Sequence, residues 1–592
     1  MEKVIAKQLP DSDSLIVDPK DYYRQVLHGY YNFDCFVKEG VTRTAKFYIP
    51  EGTVYNQPTI FITIPGGEDT YDFLVKSGWK QMADEKKFHI VMMEPKDGKW
   101  GDPEEEAEYF TALNTDVSFR PFFCAFPGNF YGFGYGEAAD ILAHQARRFV
   151  RCWAALGLIG SNGMSEDEAK LLGSMETRVP GVMASQVQMP VWIVSDEDTE
   201  ALERELSYYK NADHSCGEPR KADGALIWDP EKGGTVDEHY CAKVVFDKKD
   251  WKDCLGYDYC ERIYNEICAG VYRYPGYANG ALRKNADIRE RGFRLYTADV
   301  AGGYNEDGSD TYRRLWWVYV PETADQSKPM PAVFVFHGAG GSADEIADRS
   351  GWAYVAEKYG FLIICPQASV PNRKRIVSDM VTNEMFRAMW NTGAAQEKRP
   401  DDLLFVDYLY KWLPEHYNVD MSRVYASGQS SGGMMSWACA ALRPDYFAAT
   451  APVSAKDIDI ETGKPRPYVE SSIIPVMANL GLMDNGFKGG FGDEKGKALA
   501  DHWIETYNLT PSWDGYTYND GGKNCSYKKD EFANFIFRTK AGVPILRLVE
   551  NDYKTHAIMP SECEMAWTEW FTKFTKDPDT KELYYEGEKV EI

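Results

Sequence analysis

At 592 residues the chain is too long for one ordinary hydrophobic core, and 44% hydrophobic with 14% aromatic content is globular rather than disordered. A formal net charge of −25 and a pI near 4.9 argue against a nucleic-acid binder, because the phosphates of such a ligand would be repelled. The sequence has no run of 18 apolar residues, which removes a membrane-spanning helix from the reading.

The start, Met1-Glu-Lys-Val-Ile-Ala-Lys-Gln-Leu-Pro10, has no apolar signal core. As it stands the sequence reads as cytoplasmic; a secreted protein whose leader has been removed is the alternative. Ala45-Lys-Phe-Tyr-Ile-Pro50 then Thr59-Ile-Phe-Ile-Thr-Ile-Pro-Gly-Gly67 read as strand, turn, buried strand and glycine-rich loop. Ser77-Gly-Trp79 opens an amphipathic helix, and Phe88-His-Ile-Val-Met-Met93 is apolar enough for a central parallel strand. The same series returns as Trp317-Val-Tyr-Val-Pro321, Ala332-Val-Phe-Val-Phe-His-Gly-Ala-Gly-Gly341, Ser350-Gly-Trp352 and Phe361-Leu-Ile-Ile-Cys365. Phe61 and Phe334, Trp79 and Trp352, and Phe88 and Phe361 all stand 273 positions apart, so one α/β unit is duplicated.

Asn129-Phe-Tyr-Gly-Phe-Gly-Tyr-Gly-Glu-Ala138 reads as strand, tight turn and helix, with Gly136 at the apex. Pro190-Val-Trp-Ile-Val-Ser-Asp-Glu-Asp198 reads as a strand that delivers acids, but no histidine lies near Val245 to Cys254. His214 and His239 are read as solvated loop residues. Cys254, Cys260 and Cys268 lack the paired spacing of a zinc site, and most cysteines are read as buried thiols. Tyr274-Pro-Gly-Tyr-Ala-Asn-Gly280 and the charged run Arg283 to Arg291 read as a linker. The expected domains are therefore 1–285, without chemistry of its own, and 286–592.

In the second half, His337-Gly-Ala-Gly-Gly341 closes a buried strand with a flexible loop, and the Ala339 N–H is a candidate oxyanion donor. Residues 401–413 are helical, with Leu403, Val406, Tyr410 and Leu413 on one face. Gly428-Gln-Ser-Ser-Gly432 fits G-x-S-x-G between a short apolar strand and a small-residue helix, which is the turn that raises a nucleophilic serine, Ser430. The Ser431 N–H at the start of that helix is the second oxyanion donor. Strands at Phe447 to Ser454 and Ile473 to Gly481 follow, the latter leading to Asp484; Asp457 and Asp459 are rival acids after the earlier strand. After a last strand, Val543 to Val549, comes His556, the one histidine in a loop beyond the acid. His416 and His502 fall in other positions. Ser430, Asp484, His556 is the triad order of α/β-hydrolases. Residues 563–574 close the domain as a core helix with Trp567, Trp570 and Phe571. The fold expected is therefore tandem α/β-hydrolase folds, each a mostly parallel sheet flanked by helices.

These residues carry a family resemblance. His337 to Gly341, Trp390-Asn391, Asp401-Asp402, Arg423 to Met435, Phe447 to Val453, Gly481-Leu-Met-Asp484 and His556 resemble the polyhydroxybutyrate depolymerase-type esterases, a group that includes feruloyl and acetylxylan esterases. The resemblance implies the triad Ser430, Asp484 and His556, with Trp390 close to the cleft; His337, Trp390 and Gln429 are the candidate substrate-binding residues. Ser431 departs from the asparagine expected in many relatives, although the backbone donor survives. The function expected is a serine carboxylesterase needing no cofactor or metal, acting on feruloyl- or acetyl-type esters of plant polysaccharide, with polyester oligomers second. A serine peptidase of the same fold and a non-catalytic binding protein remain as alternatives. Trp503, Trp513, Tyr516 and Tyr518 form either a substrate wall or rings that bury one another.

Overall fold

The structure, a computed structural model, describes residues 4–10, 27–53, 57–117, 125, 127–274, 279–284, 288, 291–369, 388–396, 399–456, 458, 466–487, 489–512 and 525–591. It contains two large mixed sheets in succession. The middle of the first is β1 (Val41–Ile49), β2 (Thr59–Thr63), β3 (His89–Met93), β4 (Phe130–Tyr135), β5 (Ala155–Ile159), β6 (Val191–Val194) and β7 (Val244–Asp247). Their spatial order is β1-β3-β2-β4-β5-β6-β7, antiparallel at β1 and parallel thereafter.

The second sheet repeats this plan with β8 (Thr311–Tyr319), β9 (Met330–Phe336), β10 (Leu362–Pro366), β11 (Val419–Gln429), β12 (Ala449–Val453), β13 (Val476–Gly481), β14 (Phe532–Arg538) and β15 (Pro544–Asn551). Here the order is β8-β10-β9-β11-β12-β13-β15-β14, and β8 and β14 are the antiparallel members. Parallel strands need crossovers, and the intervening helices cover both faces; β2, β3 and β5 are accordingly buried along their whole length. This is the α/β-hydrolase arrangement, twice.

The duplication extends to hydrogen-bond register. Phe61 pairs with Val91 and with Gly132; Phe334, 273 positions later, pairs with Ile364 and with Ala426. The helices Trp79–Lys86 and Trp352–Tyr359 both start from a left-handed glycine, Gly78 at φ 87° and Gly351 at φ 86°. A side chain at either position would strike the first residue of a later helix: Tyr257 for Gly78, Pro560 for Gly351. Each glycine therefore permits a left-handed turn and a close helix approach at once.

The linker expectation needs correction. Val271–Tyr274 and Ala281–Lys284 pair as an antiparallel ribbon, and Arg273, Leu282 and Arg283 are buried in it. Arg273 is held by the carbonyls of Trp153, Gly280 and Gln188, and Arg283, where the expected charged run begins, is buried with its guanidinium on Val236 O. The expected boundary at Asn285 lies outside the described residues.

Candidate active site

Ser430 stands between β11 and the helix α2 (Ser431–Leu442), which follows α1 (Ala138–Arg148) of the first half in chain order. Its backbone is at φ 58°, ψ −120°, a conformation that a residue with a side chain adopts only when its surroundings force it. The forcing contacts are the glycines on either side. A Cβ on Gly428 would come within 2.6 Å of the Phe336 carbonyl, and one on Gly432 would land on that same oxygen. Replacing Gly432 by alanine is therefore expected to cost about 3 kcal/mol of stability, measured by urea unfolding, because rigid backbone has no room to retreat.

The Ser430 N–H donates to Val453 O at the end of β12, 2.9 Å away. The next residue, Ser454, is also left-handed, at φ 52°, and its Oγ donates to Ala557 O at 2.9 Å, tying the end of β12 to the loop that carries His556. Asp484 follows β13, and the Leu482 and Met483 amides donate to Asn551 O and Lys554 O, joining the acid turn to that loop. His556 Nδ1 lies 2.5 Å from Asp484 Oδ2, and Gly486 N–H donates to Asp484 Oδ1 at 2.9 Å. Burial pushes the Asp484 carboxyl up, but the His556 hydrogen bond and charge, the Gly486 amide and Lys554 bring it below its ordinary value. The carboxylate is almost fully buried, whereas the His556 side chain is 46% exposed, so the acid is enclosed and the base is open. Phe487 stacks beside the imidazole. The rival acids Asp457 and Asp459 lie outside the described residues.

The loop after β9 passes over the elbow. A Cβ on Gly338 would lie 3.4 Å from Ser430 Cβ, so the loop that carries Ala339 packs against the elbow. Ser431 N–H is in the first turn of α2, where no intrahelical acceptor exists.

Three residues expected to bind substrate are instead buried: His337, Trp390 and Gln429. His337 Nδ1 meets Gly338 O at 2.7 Å, so that nitrogen carries the proton, and Nε2 accepts from Ala368 N–H at 3.0 Å. Burial pushes this imidazole down to about 4, which keeps it neutral. Trp390 Nε1–H donates to His337 O at 2.8 Å, and Trp390 N–H donates to Ser431 Oγ at 3.2 Å. A Cβ on Gly338 would meet Gln429 Oε1 at 2.5 Å, so Gln429 packs under the loop. All three are packed against the glycine loop. The Ser431 hydroxyl, in place of an amide side chain, is part of the same packing.

Behind it, Asn391 N–H donates to Asp402 Oδ2 at 2.7 Å, and the buried Asp402 is paired with the buried Arg314. The Trp390-Asn391 and Asp401-Asp402 pairs of the sequence are thus joined through Asn391 and Asp402. Trp503 belongs to the core, its Nε1–H on Ile474 O and its ring against Trp437. Trp513, Tyr516 and Tyr518 lie outside the described residues. His416 bonds Trp412 O within its own helix, and the His502 ring lies tilted against Tyr468. His214 and His239 are part-buried rather than fully solvated: His214 stacks on Tyr240. The described cysteines are free thiols.

The first half supplies a built-in comparison. Tyr135 pairs with Ile159 as Gln429 pairs with Val453, which makes Gly136 the equivalent of Ser430. Gly136 is also at φ 58°, and its N–H donates to Ile159 O at 2.8 Å, as Ser430 does to Val453 O. The turn survives without a hydroxyl at its apex. The Trp251 indole, from the loop after β7, lies 3.4 Å from where a Gly136 Cβ would stand. Glu137, equivalent to Ser431, accepts the Gly66 N–H at 2.6 Å, and Gly66 is 273 positions before Ala339. A carboxylate thus occupies the amide corresponding to the expected oxyanion donor.

Residues 285–454 match the family described as acetyl xylan esterase (AXE1). The chain is 32% identical over 142 residues to probable acetylxylan esterase A of Aspergillus fumigatus, covering 24% of this chain and 34% of that protein. It is 32% identical over 148 residues to feruloyl esterase B of Neurospora crassa, covering 25% and 46%. To poly(3-hydroxyalkanoate) depolymerase C of Paucimonas lemoignei it is 22% identical over 226 residues, covering 36% and 52%. The matched stretches span between 34% and 52% of these relatives' lengths.

Proposed function

We propose that the chain is a serine carboxylesterase that hydrolyses acetyl- or feruloyl-type esters of plant polysaccharide through an acyl-enzyme on Ser430. The observation that carries this is the contrast between two registered elbows. One carries Ser430 at its apex, in a half that also holds the hydrogen-bonded Asp484–His556 pair; the other carries Gly136 under an indole.

In the proposed reaction, Asp484 holds the His556 proton on Nδ1, which leaves Nε2 as the acceptor for the Ser430 hydroxyl proton. Ser430 Oγ attacks the ester carbonyl, and the charge that develops on its oxygen is met by the Ala339 and Ser431 amides. His556 returns the proton to the leaving alcohol. Water, deprotonated by the same imidazole, then releases the carboxylic acid and regenerates Ser430. Support for the acyl class comes from the similarity of residues 285–454 to acetyl xylan esterases and from the feruloyl esterase relative. A panel of p-nitrophenyl acetate, methyl ferulate, acetylated xylan and hydroxybutyrate oligomers tests it. Turnover confined to the hydroxybutyrate oligomers would replace the substrate assignment, and turnover of amides with none of esters would replace the reaction.

We assign residues 1–285 no hydrolysis of their own. Gly136→Ser is expected to add no turnover to a Ser430→Ala chain, since the new hydroxyl meets Trp251 and has no histidine partner among the described residues. Ester hydrolysis in that double variant above the Ser430→Ala background would contradict the assignment.

A further inference from the structure

The helix α3 (Pro560–Glu569) begins four residues after His556, and its start is capped from the other half of the molecule. Its N-cap residue is Met559, a side chain without the oxygen that usually accepts an N–H of the first turn. Glu562 reaches back to the Met559 N–H at 3.0 Å, which satisfies one amide. The acceptor for Ser561 N–H is Asp237, 324 residues earlier in the chain, whose Oδ1 lies 2.8 Å away. A carboxylate at a helix start also meets the positive end of the helix dipole.

Asp237 is fixed on its own side. Its N–H donates to Thr235 Oγ1 at 3.2 Å, and the guanidinium of Arg283 holds the neighbouring Val236 carbonyl. Arg283 sits on the ribbon that Arg273 bolts to the first sheet, and its guanidinium also lies 5.5 Å from the Tyr354 ring of the second half. On the far side, Glu562 is paired with Lys554 at 2.5 Å, both fully buried. Lys554 and Glu562 bracket His556 in sequence, and the Lys554 carbonyl takes the Met483 N–H beside Asp484. A continuous run of contacts therefore leads from Asp237 through the first turn of α3 to both ends of the His556 loop.

We propose that the first half positions His556, with Asp237 as the positioning residue that anchors the start of α3. The proposal rests on His556 being the general base, as argued above. The half without a nucleophile thereby contributes to catalysis indirectly. It holds the base loop at the geometry proton transfer needs, so that its removal or displacement is read in turnover rather than in substrate affinity. Misplacement of a reacting group by about an ångström can cost on the order of a hundredfold in rate.

The test uses the full chain, with kcat normalised to sites titrated by a fluorophosphonate. Asp237→Ala is expected to lower kcat about tenfold while KM stays within about twofold. Asp237→Asn, whose amide oxygen still accepts the Ser561 N–H, is expected to restore most of it. Should the alanine variant not fold, Asp237→Glu displaces the carboxylate by one methylene and is expected to lower kcat severalfold in the same manner. Wild-type kcat per titrated site in the displaced variants, or a loss in Asp237→Asn equal to that in Asp237→Ala, would overturn the proposal. A wild-type chain inactive on every ester would instead remove the esterase reading on which it rests.

Discussion

Ser430→Ala is expected to lower kcat/KM for ester hydrolysis by at least about a thousandfold, or about 4 kcal/mol of transition-state stabilisation. The alanine removes the proposed nucleophile and leaves the turn, since the glycines at 428 and 432 and the Val453 hydrogen bond to the backbone of position 430 do not involve the hydroxyl. The folded state is therefore retained, and the unfolding midpoint is expected to stay within a few degrees of wild type or to rise as the strained side chain shortens. The residual rate is the contribution of the two amides and of substrate positioning. Kinetics on methyl ferulate and p-nitrophenyl acetate, with circular dichroism on the same samples, check both parts. A variant retaining a tenth of wild-type activity would mean that Ser430 is not the attacking group.

Asp484→Asn is expected to cost about ten-thousandfold at neutral pH, more than its isosteric shape suggests. Asp484 accepts two hydrogen bonds, from Gly486 N–H on Oδ1 and from His556 on Oδ2. An asparagine has one accepting oxygen. With that oxygen kept by Gly486, its amino group faces the imidazole and favours the tautomer protonated on Nε2, which cannot take a proton from Ser430. The variant should react with fluorophosphonate far more slowly while keeping its fold, because the side chain that loses its partner is the half-exposed His556, which water can solvate. A loss of less than about tenfold would move the acid's role elsewhere.

The elements most legible in the sequence were those whose pattern is local. The 273-residue offset carried over into strand register, residue for residue, because buried parallel strands tolerate few insertions. The elbow was legible because two glycines and a serine at fixed spacing answer one steric demand. Side-chain direction at loop entries was not. His337, Trp390 and Gln429 sit beside the site in sequence, yet each turns inward to satisfy a backbone group or fill space under the glycine loop. Nothing in local periodicity tells a histidine that meets substrate from one that braces a loop. The ribbon at 271–284 was misread for a related reason. The proline and glycine punctuation at 274–280 and the charges from Arg283 suggested linker, but Arg283 is buried in a ribbon whose Arg273 is held by the carbonyls of Trp153 and Gln188, far away in sequence, and of Gly280 close by. Trp251 over Gly136, and Asp237 at the start of α3, join residues more than a hundred positions apart and leave no local trace.

The most direct test of the account is to treat the folded, full-length chain with a fluorophosphonate and map the adduct by peptide mass spectrometry. One phosphonyl group per chain on Ser430, absent from Ser430→Ala, with ester hydrolysis falling in step with labelling, is the predicted result. Folded chain that hydrolyses esters while Ser430 stays unlabelled would contradict it.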